Sequence, residues 1–242
     1  MSEFINRIAK TKPKRDFFDH AYISFKHRYA MHTVGKAANS TVKFLLYQLE
    51  LEGTHLRMPS VHERAKSPLL SPYQLSETDL ETVFAGDEFF RFTFVRNPYS
   101  RLLSCYLDRI VGGNTRPARE LLRTMGKEDT YEPSFEEFIK TICDQSVHAQ
   151  NNNWRVQYYD CMCNEIDYHF IGKQESFSKD FLHVYKKVAG VAPQDGALAT
   201  NASPSKTSAA ERLEEYWTAE LKDLVDTKYE NDFSFFRYKM DL

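Results

Sequence analysis

The sequence predicts an α/β protein with a mostly parallel sheet, folded as a single domain that covers residues 1–242. Short runs rich in β-branched and aromatic residues alternate with segments of helical periodicity, which is the pattern of an α/β fold. The clearest run, residues 89–95, is nearly continuous in apolar residues and β-formers, as expected of a buried strand in a parallel sheet. A chain of 242 residues with 42% hydrophobic and 27% charged residues can bury one sizeable core.

The first 53 residues predict one strand, one loop and one helix after an N-terminal arm. Residues 1–20 are basic and polar, and we expect a loose arm or a short helix there. Residues 28–34 mix β-branched and aromatic side chains, which indicates a buried strand. The small and polar residues 35–41 break that pattern, and residues 42–53 then have helical character that ends at Gly53.

The rest of the chain continues the alternation of strands and helices. Residues 54–88 hold three prolines and many polar side chains, and they predict a loop with one short helix. The strand at 89–95 is followed by a helix over residues 100–110, which two glycines end. The later elements are a helix that a capping box opens at Ser134 and that runs to Asp144, a strand at 167–172, a helix at 178–190, a loop at 191–207, and a helical stretch from a second capping box at Ser208 to about Tyr229.

The charge and hydropathy of the chain restrict its binding partners and its location in the cell. The formal net charge is −2, so the chain lacks the basic balance typical of a nucleic-acid-binding protein, whereas a small anionic ligand needs only a few local cations. No run approaches the roughly 18 apolar residues of a membrane span, and the N-terminus has no apolar stretch like that of a signal peptide. We therefore expect a soluble cytoplasmic protein with no membrane span and no nucleic-acid partner. No feature of the sequence indicates the oligomeric state.

The first chemical motif is the segment HTVGKAANST at 32–41, between the first predicted strand and helix. Small residues let the backbone wrap closely around an anion, and the new helix offers unpaired N–H groups and the positive end of its dipole. Lys36 adds a mobile positive charge. The segment is not a Walker A loop, which needs Gly where this chain has Ala30 and Ser or Thr where it has Ala37. The alternative interpretation is an ordinary strand-to-helix turn with a surface lysine.

The second motif is RNPYSRLLS, which follows the strand at 89–95. Arg96 lies where that strand ends, and Ser104 lies eight residues later in the following helix. A turn at Asn97 and Pro98 could direct both side chains to one anion, since arginine offers a two-pronged donor for phosphate oxygens and serine offers a hydroxyl. The alternative is an arginine at the sheet edge and a serine buried in a helix.

These motifs resemble those of sulfotransferases that use 3′-phosphoadenosine 5′-phosphosulfate (PAPS). GKAANST is similar to the 5′-phosphosulfate loop, P-K-x-x-x-T/S, and RNPYSRLLS to the 3′-phosphate motif, R-x-P-x-x-R-x-x-S. Residues 151–175 and 201–238 resemble two later segments of the carbohydrate sulfotransferases, especially the chondroitin and dermatan 4-O type and its bacterial relatives. In the later segments the family patterns are H-W-x-P-Q…C…D-x-I-G-K-x-E and N-x-S…Y…V-x-x-x-Y-x-x-D-F-x-x-F-x-Y.

The chain departs from these patterns at four positions. Gly35 stands where the family has a proline before the lysine, and Gln174 stands where it has an aromatic residue. Asn153 replaces a histidine before the tryptophan, and Val156 replaces a proline. Because the last two changes fall in the segment that resembles the acceptor region, the acceptor stays open between a sugar, a secondary metabolite and a small amine.

The resemblance implies a P-loop NTPase-like fold, with three α/β/α layers around a central, mostly parallel sheet. It also implies in-line transfer of a sulfuryl group from PAPS, which leaves 3′-phosphoadenosine 5′-phosphate as the product. No metal is demanded, because the sulfuryl group carries less charge than a phosphoryl group. The residues implied to bind the donor are Lys36, Ala37, Ala38, Asn39, Ser40 and Thr41 at the 5′-phosphosulfate, Arg96 and Ser104 at the 3′-phosphate, and Lys206 in a late loop that closes over the cofactor.

Two residues are expected to carry the chemistry. Lys36 would stabilise charge on the oxygen between sulfur and the departing 5′-phosphate. A base should take the acceptor proton, and His62 is the first choice because it lies in the loop between the two phosphate motifs. His148 and Glu63 are the alternates, and a solvated loop histidine is the competing interpretation of His62.

The aromatic residues Trp154, Tyr158 and Tyr159 are candidates for an acceptor site that stacks on a sugar face, with ordinary core packing as the alternative. Two other functions compete with sulfuryl transfer. One is a P-loop nucleotide-dependent kinase or phosphotransferase, which would share the α/β architecture. The other is a non-catalytic relative that binds a nucleotide or glycan without turnover.

Overall fold

The computed structural model describes residues 3–193 and 208–241, whose contacts divide the chain into two compact units. Unit 1 contains residues 1–95 and 161–204, and unit 2 contains residues 96–160 and 205–242. Each unit is discontinuous in sequence. The expectation of one domain over 1–242 stays a prediction.

The described residues form four strands and twelve α-helices. The strands are β1 (Ala21–Ser24), β2 (Tyr29–His32), β3 (Phe90–Val95) and β4 (Phe170–Lys173). The helices are α1 (Glu3–Thr11), α2 (Lys14–His20), α3 (Asn39–Leu51), α4 (Glu77–Phe84), α5 (Pro98–Cys105), α6 (Arg116–Met125), α7 (Phe135–Asp144), α8 (Gln157–Asp160), α9 (Phe177–Ala189), α10 (Leu213–Tyr216), α11 (Ala219–Lys228) and α12 (Glu230–Phe236).

Unit 1 is built on one mixed sheet with the strand order β1-β2-β3-β4. The pairs β2–β3 and β3–β4 are parallel, and β1 pairs with β2 in the antiparallel sense. The predicted α/β class is therefore confirmed, and two of the three ladders are parallel. The antiparallel β1 was not predicted, because its four residues form only a short apolar run between the segments 1–20 and 28–34, and no element was assigned there.

Of the two expectations for residues 1–20, the loose arm is wrong and the short helix is right, since α1 and α2 cover most of this segment. Both α1 and α2 pack into unit 1, and the side chains of Phe4, Ile8 and Phe17 are at most 1% exposed. The rings of Phe4 and Phe84 stack with their centroids 5.4 Å apart. Residues 4 and 8 lie on one face of a helix, and their burial outweighs the polar character of the side chains around them.

Position 172 in β4 needs a glycine because a neighbouring side chain lies close to its backbone, and not because its φ angle requires one. It pairs with Phe94 of β3, and a Cβ built on Gly172 would lie 2.5 Å from the Phe94 ring. That distance is well inside van der Waals contact. The ring of Phe94 therefore occupies the space in which any other residue would place its side chain.

Unit 2 is helical, and its core gathers side chains from α5, α6, α7, α11 and α12. The predicted capping box at Ser134 is confirmed, since the Ser134 hydroxyl accepts from the Glu137 N–H and the Glu137 carboxylate accepts from the Ser134 N–H. The predicted box at Ser208 is wrong, because Ser208 has a positive φ of 47° and its side chain makes no capping bond. Thr218 instead caps α11 through the Leu221 N–H.

The helix predicted over residues 100–110 is two elements. It begins at Pro98, continues as α5 to Cys105, and changes to a π-helical turn at Tyr106–Ile110. Pro98 is favourable at the first helical position because its missing N–H would have no partner there. Within the described residues, no helix is both long and apolar enough to cross a membrane.

Candidate active site

The loop between β2 and α3 in unit 1 has an unusual backbone. Lys36 and Ala38 have φ angles of 67° and 57°, in the left-handed region that residues with a side chain rarely adopt. Each such residue costs roughly 1–2 kcal/mol relative to ordinary backbone. A left-handed residue beside right-handed ones turns successive N–H groups toward one concavity, which suits an anion. Strain kept at this position therefore points to a functional loop.

The N-terminus of α3 has no capping side chain. Its N-cap residue is Ala38, which has no acceptor, and the first turn carries no acidic residue. The side chains of Asn39, Ser40 and Thr41 are half-buried around this end of the helix. A helix of 13 residues with such an N-terminus presents N–H groups and positive dipole to a ligand.

Lys36 and Ala37, the two loop residues before Ala38, have different surroundings. Lys36 is half-buried, so its side chain keeps contact with solvent. Ala37 is 1% exposed, and its N–H donates to the Val34 carbonyl at 3.3 Å. The amide of Ala37 thus closes the turn, and its predicted contact with the donor stays a prediction.

His62 is an exposed residue in the loop that follows α3. Its N–H donates to the Ser60 hydroxyl at 3.3 Å. The alternate base Glu63 is also exposed and pairs with Lys66 at 2.5 Å. His148, the other alternate, is exposed in unit 2. Exposure is compatible with a base that meets an acceptor from solution, and the choice of His62 stays a prediction.

Two cations that the sequence analysis did not single out hold the backbone on both sides of His62. Lys43 of α3 is 8% exposed and donates to the Val61 carbonyl at 2.7 Å. Arg64 donates to the Ala21 carbonyl at 2.5 Å. The guanidinium of Arg64 lies 3.7 Å from the centroid of the Tyr22 ring.

The pKa of Lys43 reflects this environment. Burial is the main cause that lowers it to about 8, and the positive charge of Arg64 acts in the same direction. The signal for Lys43 was present in the sequence, because it stands within the apolar run VKFLL of the helix. A lysine among the apolar residues of a helix indicates a charged side chain on the face that packs against the core.

Arg96 begins unit 2 and directly follows β3 in the chain. It is 9% exposed, and its Nε donates to the Ser100 hydroxyl at 3.0 Å. Asn97 caps α5 by accepting from the N–H groups of Tyr99 and Ser100. Ser104 is 3% exposed and lies one helical turn beyond Ser100 on the same face of α5. Arg96 therefore lies along the face of α5 that carries both serines.

A buried network surrounds the Arg96 backbone. Its members Gln157 and Asp232 stand at the Q and the D of the family patterns quoted above, but the sequence analysis gave neither residue a role. The side chain of Gln157 is fully buried, accepts from the Arg96 N–H at 2.9 Å and donates to the Arg96 carbonyl at 2.8 Å. Asp232 accepts from the backbone N–H groups of Gln157 and Tyr158 at 2.9 and 2.8 Å. Burial raises the pKa of Asp232 to about 6, and the N–H bond from Gln157 and the charge of Arg101 oppose this shift.

The aromatic candidates for an acceptor site separate into core and surface. Trp154 is 1% exposed, packs against Phe138, and donates from its indole N–H to Gln145 at 2.9 Å. It is a core residue, as the packing alternative expected. Tyr158 and Tyr159 are half-buried with their rings 5.3 Å apart, so both keep some access to solvent.

Lys206, expected to close over the cofactor, lies outside the described residues. Among the described residues, no group of three or more His, Cys, Asp or Glu side chains could hold a metal ion.

The α/β fold and the uncapped, left-handed turn before α3 are typical of proteins that bind an anion at a helix N-terminus. The sequence profile described as "Sulfotransferase family" matches residues 19–239. The chain belongs to this family.

Curated relatives agree with that membership. The chain is 27% identical to carbohydrate sulfotransferase 14 of Danio rerio, in a match that covers 94% of this chain and 64% of the relative. It is 25% identical to carbohydrate sulfotransferase 14 of Homo sapiens over 94% and 62%, and 25% identical to carbohydrate sulfotransferase 11 of Rattus norvegicus over 91% and 67%. The chain thus spans less than two thirds of the first two relatives. No solved structure gives a significant match.

Proposed function

We propose that this chain is a sulfotransferase that moves a sulfuryl group from PAPS to a hydroxyl or amine of a carbohydrate acceptor. The observation that carries the proposal is the strained, uncapped turn at Lys36–Ala38 in a chain that matches the sulfotransferase family over residues 19–239. The relatives named above are carbohydrate sulfotransferases, which supports a sugar as the acceptor class.

The loop of unit 1 is assigned to the 5′-phosphosulfate. The N–H groups at the start of α3, with the hydroxyls of Ser40 and Thr41, would hold the phosphosulfate oxygens. As the bond between sulfur and the bridging oxygen breaks, negative charge grows on that oxygen, and the Lys36 ammonium would neutralise it. The acceptor oxygen or nitrogen forms the new bond to sulfur and releases its proton to His62.

The arginine motif of unit 2 is assigned to the 3′-phosphate. Arg96 would supply a charged fork to the phosphate oxygens, and Ser104 a hydroxyl on the same face of α5. A 3′-phosphate separates PAPS from ATP-like nucleotides, so this assignment predicts nucleotide selectivity. We also place the fold in the P-loop-like α/β/α class, which the parallel pair β2–β3 with its loop and helix supports.

The test is a thermal titration with 3′-phosphoadenosine 5′-phosphate, and in parallel with AMP, ADP and ATP–Mg²⁺. A ligand that binds only the folded chain at 100 times its Kd stabilises it by about 2.7 kcal/mol, which raises the Tm of a chain of this size by about 5–10 °C. We expect that shift with the bisphosphate and little with AMP. A shift with ATP–Mg²⁺ alone would instead indicate a phosphotransferase.

Transfer itself is measured with labelled PAPS and a panel of glycosaminoglycan oligosaccharides. Label in a sugar product supports the proposal. A chain that binds the bisphosphate and transfers nothing to any acceptor would be the non-catalytic relative.

A further inference from the structure

The backbone of Arg96 is held on both sides by one side-chain amide. Gln157 accepts from the Arg96 N–H and donates to the Arg96 carbonyl, as a neighbouring strand would. Two bonds to one residue fix the peptide planes before and after it. The direction in which the Arg96 side chain leaves the backbone is therefore fixed by Gln157.

Asp232 determines which way the Gln157 amide faces. Its Oδ2 accepts from both the backbone N–H and the side-chain Nε2 of Gln157, at 2.9 and 3.1 Å. An ionised carboxylate only accepts hydrogen bonds, so Asp232 requires the NH₂ end of the amide to face it. That orientation leaves the Oε1 end for the Arg96 N–H. A reversed amide would place NH₂ against that N–H.

Burial makes this orientation costly to lose. Gln157 and Asp232 are both 0% exposed, so water does not replace a broken bond. A buried polar group without its partner costs about 1–3 kcal/mol. Arg96, Gln157 and Asp232 therefore act as one unit, although 61 and 75 residues separate the bonded pairs in the chain.

We propose that Gln157 and Asp232 are positioning residues that aim Arg96, and that they thereby set the preference for a nucleotide with a 3′-phosphate. This inference rests on the proposed function, in which Arg96 binds that phosphate. Neither residue needs to touch the ligand. Their effect is expected in the selectivity between nucleotides rather than in general nucleotide affinity.

The experiment measures the ratio of the Kd for AMP to the Kd for 3′-phosphoadenosine 5′-phosphate in the full chain. Gln157→Met keeps the length of the side chain and removes its hydrogen bonds. We expect the ratio to fall by about tenfold, because contacts of an arginine fork depend strongly on placement. The affinity for AMP, which lacks the 3′-phosphate, should change by less than about twofold.

Asp232→Asn is the second variant, and it serves where Gln157→Met does not fold. The new NH₂ must face an N–H of either Gln157 or Tyr158. Because both residues begin α8, either choice displaces the turn that carries Gln157. We expect the ratio to fall in the same direction. A wild-type ratio in folded Asp232→Asn would overturn the role of Asp232.

Gln145→Met is the matched control. Gln145 is a half-buried glutamine of unit 2 whose amide accepts from the Trp154 indole N–H at 2.9 Å and donates to the Thr124 hydroxyl at 3.3 Å. The bonds described for its side chain reach neither Arg96 nor Gln157 nor Asp232. The control should lose stability and keep the wild-type ratio. An equal fall of the ratio in Gln145→Met would mean general loosening and would overturn the inference.

Arg96→Ala separates failure of the inference from failure of the proposed function. If wild type shows no preference for the bisphosphate, or if Arg96→Ala keeps that preference, the assignment of Arg96 itself is wrong. If Arg96→Ala loses the preference while folded Gln157→Met keeps it, only the positioning role is refuted.

Discussion

Replacing Ala38 by glycine should make the protein more stable, although it removes a methyl group. Ala38 has a φ of 57°, which costs a residue with a side chain roughly 1–2 kcal/mol. Glycine avoids that cost but loses about 0.5–1 kcal/mol more backbone entropy on folding than alanine. The difference predicts a gain of about 0.5–1 kcal/mol in the free energy of unfolding. Glycine is also the better N-cap residue, which acts in the same direction.

The assay is urea unfolding followed by circular dichroism, with Ala37→Gly as the matched control. Ala37 is the adjacent alanine, is 1% exposed, and is not among the residues with a positive φ. Its replacement should destabilise the chain by about 1 kcal/mol, through lost burial and added chain entropy. Opposite signs at the two neighbouring positions would confirm that strain is stored at Ala38. Equal destabilisation by both variants would refute the reasoning.

Three further predictions concern the chemistry, the sheet and a buried charge. Lys36→Ala should abolish sulfuryl transfer from labelled PAPS while the Tm stays within about 1 °C, because Lys36 is half-buried and its role is charge stabilisation; unchanged turnover would remove it from the mechanism. Gly172→Ala should cost about 1–3 kcal/mol in urea unfolding, since its Cβ would meet the Phe94 ring at 2.5 Å, and Phe94→Leu should recover part of the loss. The pKa of Lys43 is about 8 in the folded chain, against an ordinary value of 10.5. Between these two pH values Lys43 is therefore protonated in the unfolded chain and neutral in the folded chain. The free energy of unfolding should therefore rise across this window by up to about 3 kcal/mol more in wild type than in Lys43→Met; identical pH profiles of the two proteins would contradict it.

Local signals in the sequence predicted the elements whose causes are local. Residues 90–95 form a strand because aromatic and β-branched residues dominate the run, with Phe90, Phe92 and Phe94 on one face. Ser134 caps α7 because its partner Glu137 lies three residues away. Glycines after α3 and α9 end those helices, with φ angles of 78° at Gly53 and 72° at Gly190. Each of these features depends on residues within one or two turns of chain.

Features that depend on distant partners were not predictable in the same way. Gln157 matches the Q of a family pattern, but that match names no partner until Arg96, 61 residues earlier, is placed beside it. Phe4 and Phe17 read as parts of a basic arm until Phe84 covers them. The pattern at Ser208 has the right residues for a capping box, but the backbone there turns left-handed and the box does not form. Tertiary packing decides such cases.

The order of strands along the chain affects how the protein can be made. Strands β1 and β2 leave the ribosome close together, β3 follows after residues 33–89, and β4 follows β3 only after residues 96–169, most of which belong to unit 2. At about 5–20 residues per second this separation lasts roughly 4–15 s. During that time the edge of β3 that later pairs with β4 has no neighbour, and its unpaired N–H and C=O groups could pair with another nascent chain. A chain truncated after Asp160 would keep that edge open permanently, so aggregation during synthesis is the expected fate of such a fragment.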